Sequence, residues 1–333
     1  MGVCSQVVFW EDGLSITKRI DAITLIPPTH LKTVVPFPRS VKIELTGRCN
    51  YRCSFCALAV REKQPTKDMD LGFFKRITRE MKDAGVVEIG VFFIGESFLC
   101  PELLIDAVRY LKREIEMPYV FLTSNASLAE PRTVSALMSA GLNSLKWSVN
   151  SSTEEDFVKV MKVRKELFWK ALQNIKDAYQ VREYLHAKTG LYASSIQYDG
   201  EQQEKMDEFL EEHVRPYVDE HYWLPLYSMG SFATAREEAL GYRPTAGNQG
   251  RIGALRSPLP CWSAFTEGHV TSAGKLSACC FDASDTWAMA DLHETPFAEA
   301  WNSAAFQALR QKHLDKDVSG TACEKCAAYG GGQ

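Results

Sequence analysis

SVKIELTGRCNYRCSFCA, residues 40–57, runs from a short apolar strand straight into a loop that carries three cysteines. Cys49, Cys53 and Cys56 are separated by three and then two residues. Three thiolates on one loop can hold three irons of a four-iron cubane, which leaves the fourth iron without a nearby protein thiolate. An iron left open in this way can chelate the amino and carboxylate groups of a methionine moiety. A structural zinc would instead want four ligands close together and a Cys or His partner downstream, and the nearest downstream histidine is His186. Zinc, a cluster ligated wholly by protein and ordinary buried thiols are the competing readings of this loop.

Outward from the loop, short apolar runs alternate with amphipathic stretches. After the strand at 40–45 come a helix over 70–85, a strand over 86–95, a helix over 102–115 and a strand over 119–125. A helix over 130–141, a strand over 142–150, a long helix over 168–185, a strand over 190–198, a helix over 201–218 and a strand over 222–228 follow. Near-continuous hydrophobic strands separated by helices are the pattern of parallel βα units covered on each side, so the fold class is α/β. Residues 1–37 read as an N-terminal arm, 38–228 as the main domain, and 229–255, rich in Gly, Pro, Ala and Arg, as a linker or substrate-side loop. In the remaining unit, 256–333, residues 261–281 look like a hairpin turning at SAG and 296–314 like a helix. This unit has few large apolar residues for its length and is expected to need a metal to hold it together.

The chain has 333 residues, of which 45% are hydrophobic and 24% charged, enough apolar material for a packed interior. Its formal charge of -4, without a long basic run, gives no footprint for a nucleic-acid backbone or an anionic membrane. No stretch approaches the roughly 20 apolar residues of a membrane span. The first residues, MGVCSQVVFWEDG, do not read as a secretory signal, and the cytoplasm is the expected compartment. Gly2 meets the loose myristoylation pattern, but Cys4 in a short irregular arm is the preferred reading. Ten cysteines in a reducing compartment call for something other than disulfides. Three lie within eight residues near the start and five between residues 261 and 326, a distribution that fits two metal sites.

Cys49, Cys53 and Cys56 resemble the cluster-binding motif of the radical S-adenosylmethionine (SAM) superfamily, which also follows a first strand. The resemblance covers about residues 38–228. It implies a partial (β/α)6 TIM-like barrel, a [4Fe-4S] cluster, S-adenosyl-L-methionine as cofactor, and a low-potential electron donor such as flavodoxin or ferredoxin. It also implies homolysis of the sulfonium to methionine and a 5'-deoxyadenosyl radical. Phe55, before the last cysteine, stands where the family has an aromatic residue beside adenine. Gly95 and Glu96 are similar to the Gly-Gly-Glu motif that faces the methionine amine, with Ile94 in place of the first Gly. Glu96 could otherwise be a solvated loop carboxylate. Asn125, Ser148 and Asn150 follow strands three and four, where polar side chains resemble those that meet the nucleoside; turn or cap residues are the alternative. Ser194 and Ser195 interrupt an apolar strand, so at least one is expected to face the lumen. Arg164, with Lys162, is a candidate for the methionine carboxylate.

A second constellation comprises Cys261, Cys279 or Cys280, Cys323 and Cys326, and four thiolates suit one tetrahedral zinc or one closed four-iron cluster. The spacing from Cys261 through Gly274 to Cys279 resembles the opening of SPASM and twitch domains, which carry auxiliary clusters in radical SAM enzymes. That resemblance assigns Cys279 as the ligand and implies a small C-terminal auxiliary cluster domain with one [4Fe-4S] cluster, two clusters in all. Consecutive residues on a strand point opposite ways, so Cys280 faces elsewhere. Cys280 could return a hydrogen atom to a substrate radical, or be a small buried hydrophobe. Asp282 could take a hydroxyl proton, or cap a loop. Two reactions are expected from the resemblance to aminocyclitol and aminoglycoside dehydrogenases and epimerases. The preferred one oxidises a secondary alcohol to a ketone, with an electron passing to the auxiliary cluster, in sugar or aminocyclitol antibiotic biosynthesis. The alternative is epimerisation of an aminoglycoside or peptide through Cys280. A small-molecule substrate is favoured over a peptide, and a non-catalytic iron-sulfur scaffold or redox sensor is the remaining class.

Overall fold

The computed structural model describes residues 15–61, 63–231 and 238–328; Gly2 and Cys4 lie outside them. Six parallel strands, β1 (Ser40–Ile43), β2 (Glu88–Gly90), β3 (Tyr119–Ser124), β4 (Ser144–Ser148), β5 (Gly190–Ile196) and β6 (Glu220–Leu224), pair each with the next. The helices between them are α2 (Leu71–Asp83), α3 (Pro101–Arg109), α4 (Pro131–Ala140), the pair α5 (Glu154–Met161) and α6 (Glu166–Leu185), and α7 (Gly200–His213); α1 (Ile16–Thr24) precedes β1. The chain is thus an α/β protein whose central sheet is mostly parallel, in the manner of a partial TIM-like barrel.

Alternation along β4 shows how this sheet divides its two faces. Leu145 and Trp147 are fully buried in the layer between sheet and helices, while Ser144, Lys146 and Ser148 line the interior. The concave face is thus the lumen of the partial barrel, and it carries polar and charged residues. Helix α2 shows the outer layer at work. Asp70 Oδ1 accepts from Phe73 N at 2.8 Å to cap it, and Phe74, Ile77 and Met81, spaced three and four apart, are fully buried. Each such side chain contributes about 1.5–3 kcal/mol by leaving water.

Three further elements depart from the sequence reading. The strand expected over 86–95 is only Glu88–Gly90, because Ile94 N and Gly95 N donate to the Glu44 carboxylate instead of to a strand ladder. The helix expected over 102–115 ends at Arg109 and continues as one wider π turn, Tyr110–Glu114. The arm contains α1, anchored by Thr17 Oγ1 and Ile16 N, which donate to Glu220, and by Arg19, which pairs with Glu88 at 3.4 Å.

The C-terminal part adds α8 (Ser263–Thr266), β7 (Glu267–Val270), β8 (Lys275–Ser277), β9 (Ala288–Asp291), α9 (Phe297–Ala300), α10 (Ala304–Leu314) and α11 (Glu324–Ala328). β7 and β8 form the antiparallel hairpin, and its turn needs Gly274 at φ 79°, where a Cβ would also meet the His293 ring at 2.7 Å. β7 pairs in parallel with β1, so the sheet has nine strands in the order β6-β5-β4-β3-β2-β1-β7-β8-β9. Phe265, Phe297, Trp301 and Phe306 are fully buried and belong to the same core cluster as the barrel. The few large side chains of this unit pack both on one another, as Trp301 does on Phe306 with ring centroids 5.0 Å apart, and into the core shared with the barrel. Among the described residues no helix is long and apolar enough to cross a membrane.

Candidate active site

At the C-terminal ends of the strands a cavity of about 290 Å³ is lined by Cys49, Cys53, Cys56, Phe55, Gly95, Glu96, Asn125, Ser148, Asn150 and Ser194. The cysteine loop is held there by backbone bonds to the end of α5, Arg52 N to Met161 O at 3.0 Å and Ser54 N to Val160 O at 2.8 Å. Gly95 must be glycine, since a Cβ would stand 1.9 Å from Thr46 O. Glu96 is buried: Oε1 accepts from Ser124 Oγ at 3.0 Å and Phe98 N at 3.2 Å, and Oε2 from Asn125 N at 2.8 Å. Burial pushes its carboxyl above the usual range and these bonds oppose the shift. Asn150 Oδ1 accepts from Ile196 N at 2.9 Å, which locks β4 to β5 at the cavity wall.

Below this cavity, and sharing Cys56, Phe92, Phe93, Ile94, Tyr227 and Phe281 with it, lies a lumen cavity of about 330 Å³. Lys42, Lys146, Glu267 and Cys280 line it, and α1 contributes Ile16, Arg19, Ile20 and Ile23. Lys42 Nζ donates to Glu267 Oε2 at 2.7 Å, and His269 Nε2 lies 3.0 Å from the same oxygen. Burial would push the Glu267 carboxyl up, but Lys42 and the His269 hydrogen bond overcome it and hold it at about 2. Lys146 is lowered to about 7 by burial and by Lys42. Burial pushes the Cys280 thiol up to about 12, with Lys42 pulling against it.

Cys261, Cys279, Cys323 and Cys326 line a third, small cavity behind the lumen wall, together with Trp287 and His313. The nine described cysteines are all free, and Cys100 belongs to neither set, donating its thiol to Ser97 O at 3.3 Å. Backbone amides point at a sulfur in each group: Tyr51 N donates to Cys49 Sγ and Phe281 N to Cys279 Sγ, both at 3.4 Å. Thiolates spaced along a loop can each take a separate iron of a cluster, so the donor chemistry fits a cluster.

The structure thus brings together Phe55, Gly95, Glu96, Asn125, Ser148, Asn150 and Ser194 with the first three cysteines, and groups the four auxiliary cysteines separately. Ser195 turns to the outer face, where it meets His221 at 3.0 Å. Two expectations are corrected. Arg164 is exposed on the link between α5 and α6, as is Lys162, and neither lines the cavity. Asp282 lines neither large cavity; its carboxylate accepts from Ser277 Oγ, Ser284 N, Thr286 N and Trp287 N, so it caps the loop. Sequence reasoning passed over Lys42, Lys146, Glu267 and Glu44. The available signal was a charge at an inward position of an otherwise apolar strand, as in SVKIEL and SLKWS. Glu44 Oε1 accepts from Ile94 N and Gly95 N, and Oε2 from Ser272 N in the hairpin turn at 3.0 Å, so one carboxylate ties the Gly95 turn to the C-terminal domain.

Residues 43–192 match the Radical SAM superfamily, and residues 261–327 match an iron-sulfur cluster-binding domain, SPASM. The chain thus carries a radical SAM domain. More particularly, a SPASM-type auxiliary domain follows it, and the two domains together imply SAM and two [4Fe-4S] clusters as cofactors. An S-adenosylmethionine-dependent nucleotide dehydratase of Danio rerio is 34% identical over 93 residues, 27% of this chain and 25% of that one. The matches span between 25% and 43% of these curated relatives' length. By structure, SuiB of Streptococcus suis bound to its precursor peptide SuiA superposes with TM-score 0.62 at 15% identity, covering 89% of this chain and 71% of that one. BtrN in complex with AdoMet and 2-DOIA gives 0.57 at 14% identity, covering 87% and 91%. These likenesses show the shared fold.

The residues fit the cofactors. Cys49, Cys53 and Cys56 would hold the SAM-binding cluster, and the Gly95–Glu96 turn, Asn125, Ser148, Asn150, Ser194 and Phe55 would face SAM. Cys261, Cys279, Cys323 and Cys326 would hold the auxiliary cluster.

Proposed function

We propose that this enzyme inverts one carbon of a small molecule seated in the lumen, with Cys280 as the hydrogen-atom donor. The observation that carries this reading is the division of the cysteine doublet: Cys279 lines the auxiliary site, while Cys280 lines the lumen cavity that abuts the SAM cavity. When bound, the first cluster and SAM supply a 5'-deoxyadenosyl radical, at the expense of one electron from a low-potential donor such as flavodoxin or ferredoxin. The bound cofactor would in this way remove one hydrogen atom from a substrate C–H bond, with 5'-deoxyadenosine as the by-product. The Cys280 S–H bond then breaks, its hydrogen atom goes to the opposite face of the substrate carbon, and the sulfur is left one electron short. A second electron from the same class of donor and one proton restore the thiol. The lumen walls, with Phe92, Phe93 and Phe281 at the boundary between the cavities, keep water from the radical.

Alcohol oxidation is the second reading. It is favoured by the chain continuity of the doublet, which puts an auxiliary ligand one residue from the lumen, and by likeness to BtrN in complex with 2-DOIA. Asp282, capped as described, gives it no base. A peptide in the lumen is the corresponding alternative for the substrate, by analogy with SuiB and its peptide SuiA.

Turnover in deuterated water tests the choice. Epimerisation gives an inverted product with one solvent deuterium, and Cys280→Ala makes 5'-deoxyadenosine without inversion while keeping its iron. An unlabelled ketone formed equally by wild type and Cys280→Ala would sink the epimerase reading.

A further inference from the structure

We propose that the lumen cavity holds its substrate through a carboxylate, with Lys146 as the counter-charge and Asn248 as a second donor. This rests on the reading of the lumen as the substrate chamber and names the chemistry of what enters it.

The argument begins with the charges on the cavity wall. Arg19 is paired with Glu88 at 3.4 Å, Lys42 with Glu267 at 2.7 Å, and Arg251 with Asp21 at 2.6 Å. Lys146 lines the same wall from β4, and among the described residues it has neither a carboxylate nor a hydrogen-bond acceptor; its Nζ stands 5.8 Å from the Tyr222 ring centroid. Every cation of the chamber but one is therefore neutralised. An ammonium removed from water without a partner is costly, and the group responds by losing its proton or by finding an anion. The lowering of Lys146 is the protein-only response, and a bound carboxylate would reverse it.

A second unsatisfied donor points the same way. Asn248 is 8% exposed and stands between the lumen and the auxiliary cavity, and its Nδ2 is buried beside the Cys280 sulfur with no other acceptor. A buried donor left unmade is costly, so a lysine and an amide on the wall of one cavity mark where a ligand's acceptors belong. One residual positive charge matches a carboxylate better than a phosphate dianion, which would want a second free cation. A cavity of about 330 Å³ with α1 along one side has the size of a chamber for a small molecule.

The test uses the cluster-loaded protein with SAM at neutral pH and two isosteric probes, cyclohexanecarboxylate and cyclohexanecarboxamide, titrated calorimetrically. Wild type is expected to prefer the carboxylate by about tenfold or more. Lys146→Met, checked for full iron content, is expected to bring the two probes within about twofold of each other, and Lys146→Arg to restore the preference. Equal binding of the two probes by wild type, an undiminished preference in Lys146→Met, or no binding of the carboxylate at millimolar concentration would each overturn the inference. Formation of 5'-deoxyadenosine by wild type is scored separately. Nucleoside formed without carboxylate preference defeats the carboxylate alone, and carboxylate preference without nucleoside defeats the radical reading alone.

Discussion

The Lys42–Glu267 pair joins the first strand of the barrel to the first strand of the C-terminal domain, and Glu267→Gln is the perturbation that measures it. The two side chains are 20% and 3% exposed, so solvent screens them little. A carboxyl held at about 2 instead of 4.5 is worth about 3 kcal/mol of stability above its unfolded pKa. The sign follows from the direction: the folded pKa is depressed, so the contribution is fully present above about 4.5 and is lost as pH falls toward about 2. Glu267→Gln should therefore cost about 3–5 kcal/mol at neutral pH, because Lys42 is left buried and unpaired, and should flatten the acid limb over that window. Lys42→Met together with Glu267→Gln removes the stranded charge and should cost at least about 2 kcal/mol less than the sum of the single changes. Thermal unfolding under anaerobic conditions, followed by circular dichroism from pH 7 downward, provides the measurement. Single effects that add to within about 0.5 kcal/mol would refute the coupling, and an unchanged acid limb in Glu267→Gln would refute the assignment of the window.

Iron quantitation after anaerobic reconstitution should give about eight irons per chain, and Cys49, Cys53 and Cys56 all replaced by Ala should leave about four with no nucleoside cleavage; eight irons in that variant would contradict the ligand set. Gly95→Ala must displace Thr46 O, so SAM binding measured by equilibrium dialysis should be lost while the auxiliary iron stays. Cys323→Ala should lose the auxiliary iron and open the last turn, α11, to proteolysis, with the buried Phe297, Trp301 and Phe306 keeping α9 and α10 resistant. Cleavage spreading through α10 at the same rate would show that the cluster, and not the shared core, holds the domain.

Much of the barrel was readable because its signals are local. The runs at 119–125, 142–150 and 190–198 contain β3, β4 and β5, and the three thiols after β1 stand on one cavity wall. What escaped was non-local. The run VVEIGVFFIG looks like ten residues of strand, but a carboxylate 50 positions away, Glu44, claims the amides of Ile94 and Gly95. Helix α1 is short, and its place depends on Glu220 and Glu88 from β6 and β2. Lys42 and Lys146 each sit in an apolar run whose periodicity does not say which face is the lumen. Asp282 reads as a base or a cap, and the four donors around its carboxylate cannot be seen in the sequence pattern.

The parallel pairing of β7 with β1 also bears on how the chain is born. Ser40 and Glu267 are register partners 227 residues apart, so on a ribosome the first strand waits with one side unpaired until Glu267 has emerged. An exposed edge beside apolar Val41 and Ile43 is a template for pairing with other chains. Fragments cut before residue 267 would keep that edge open permanently and should aggregate, whatever their complement of cysteines, so the two halves of this enzyme are not exchangeable modules but a single act of synthesis.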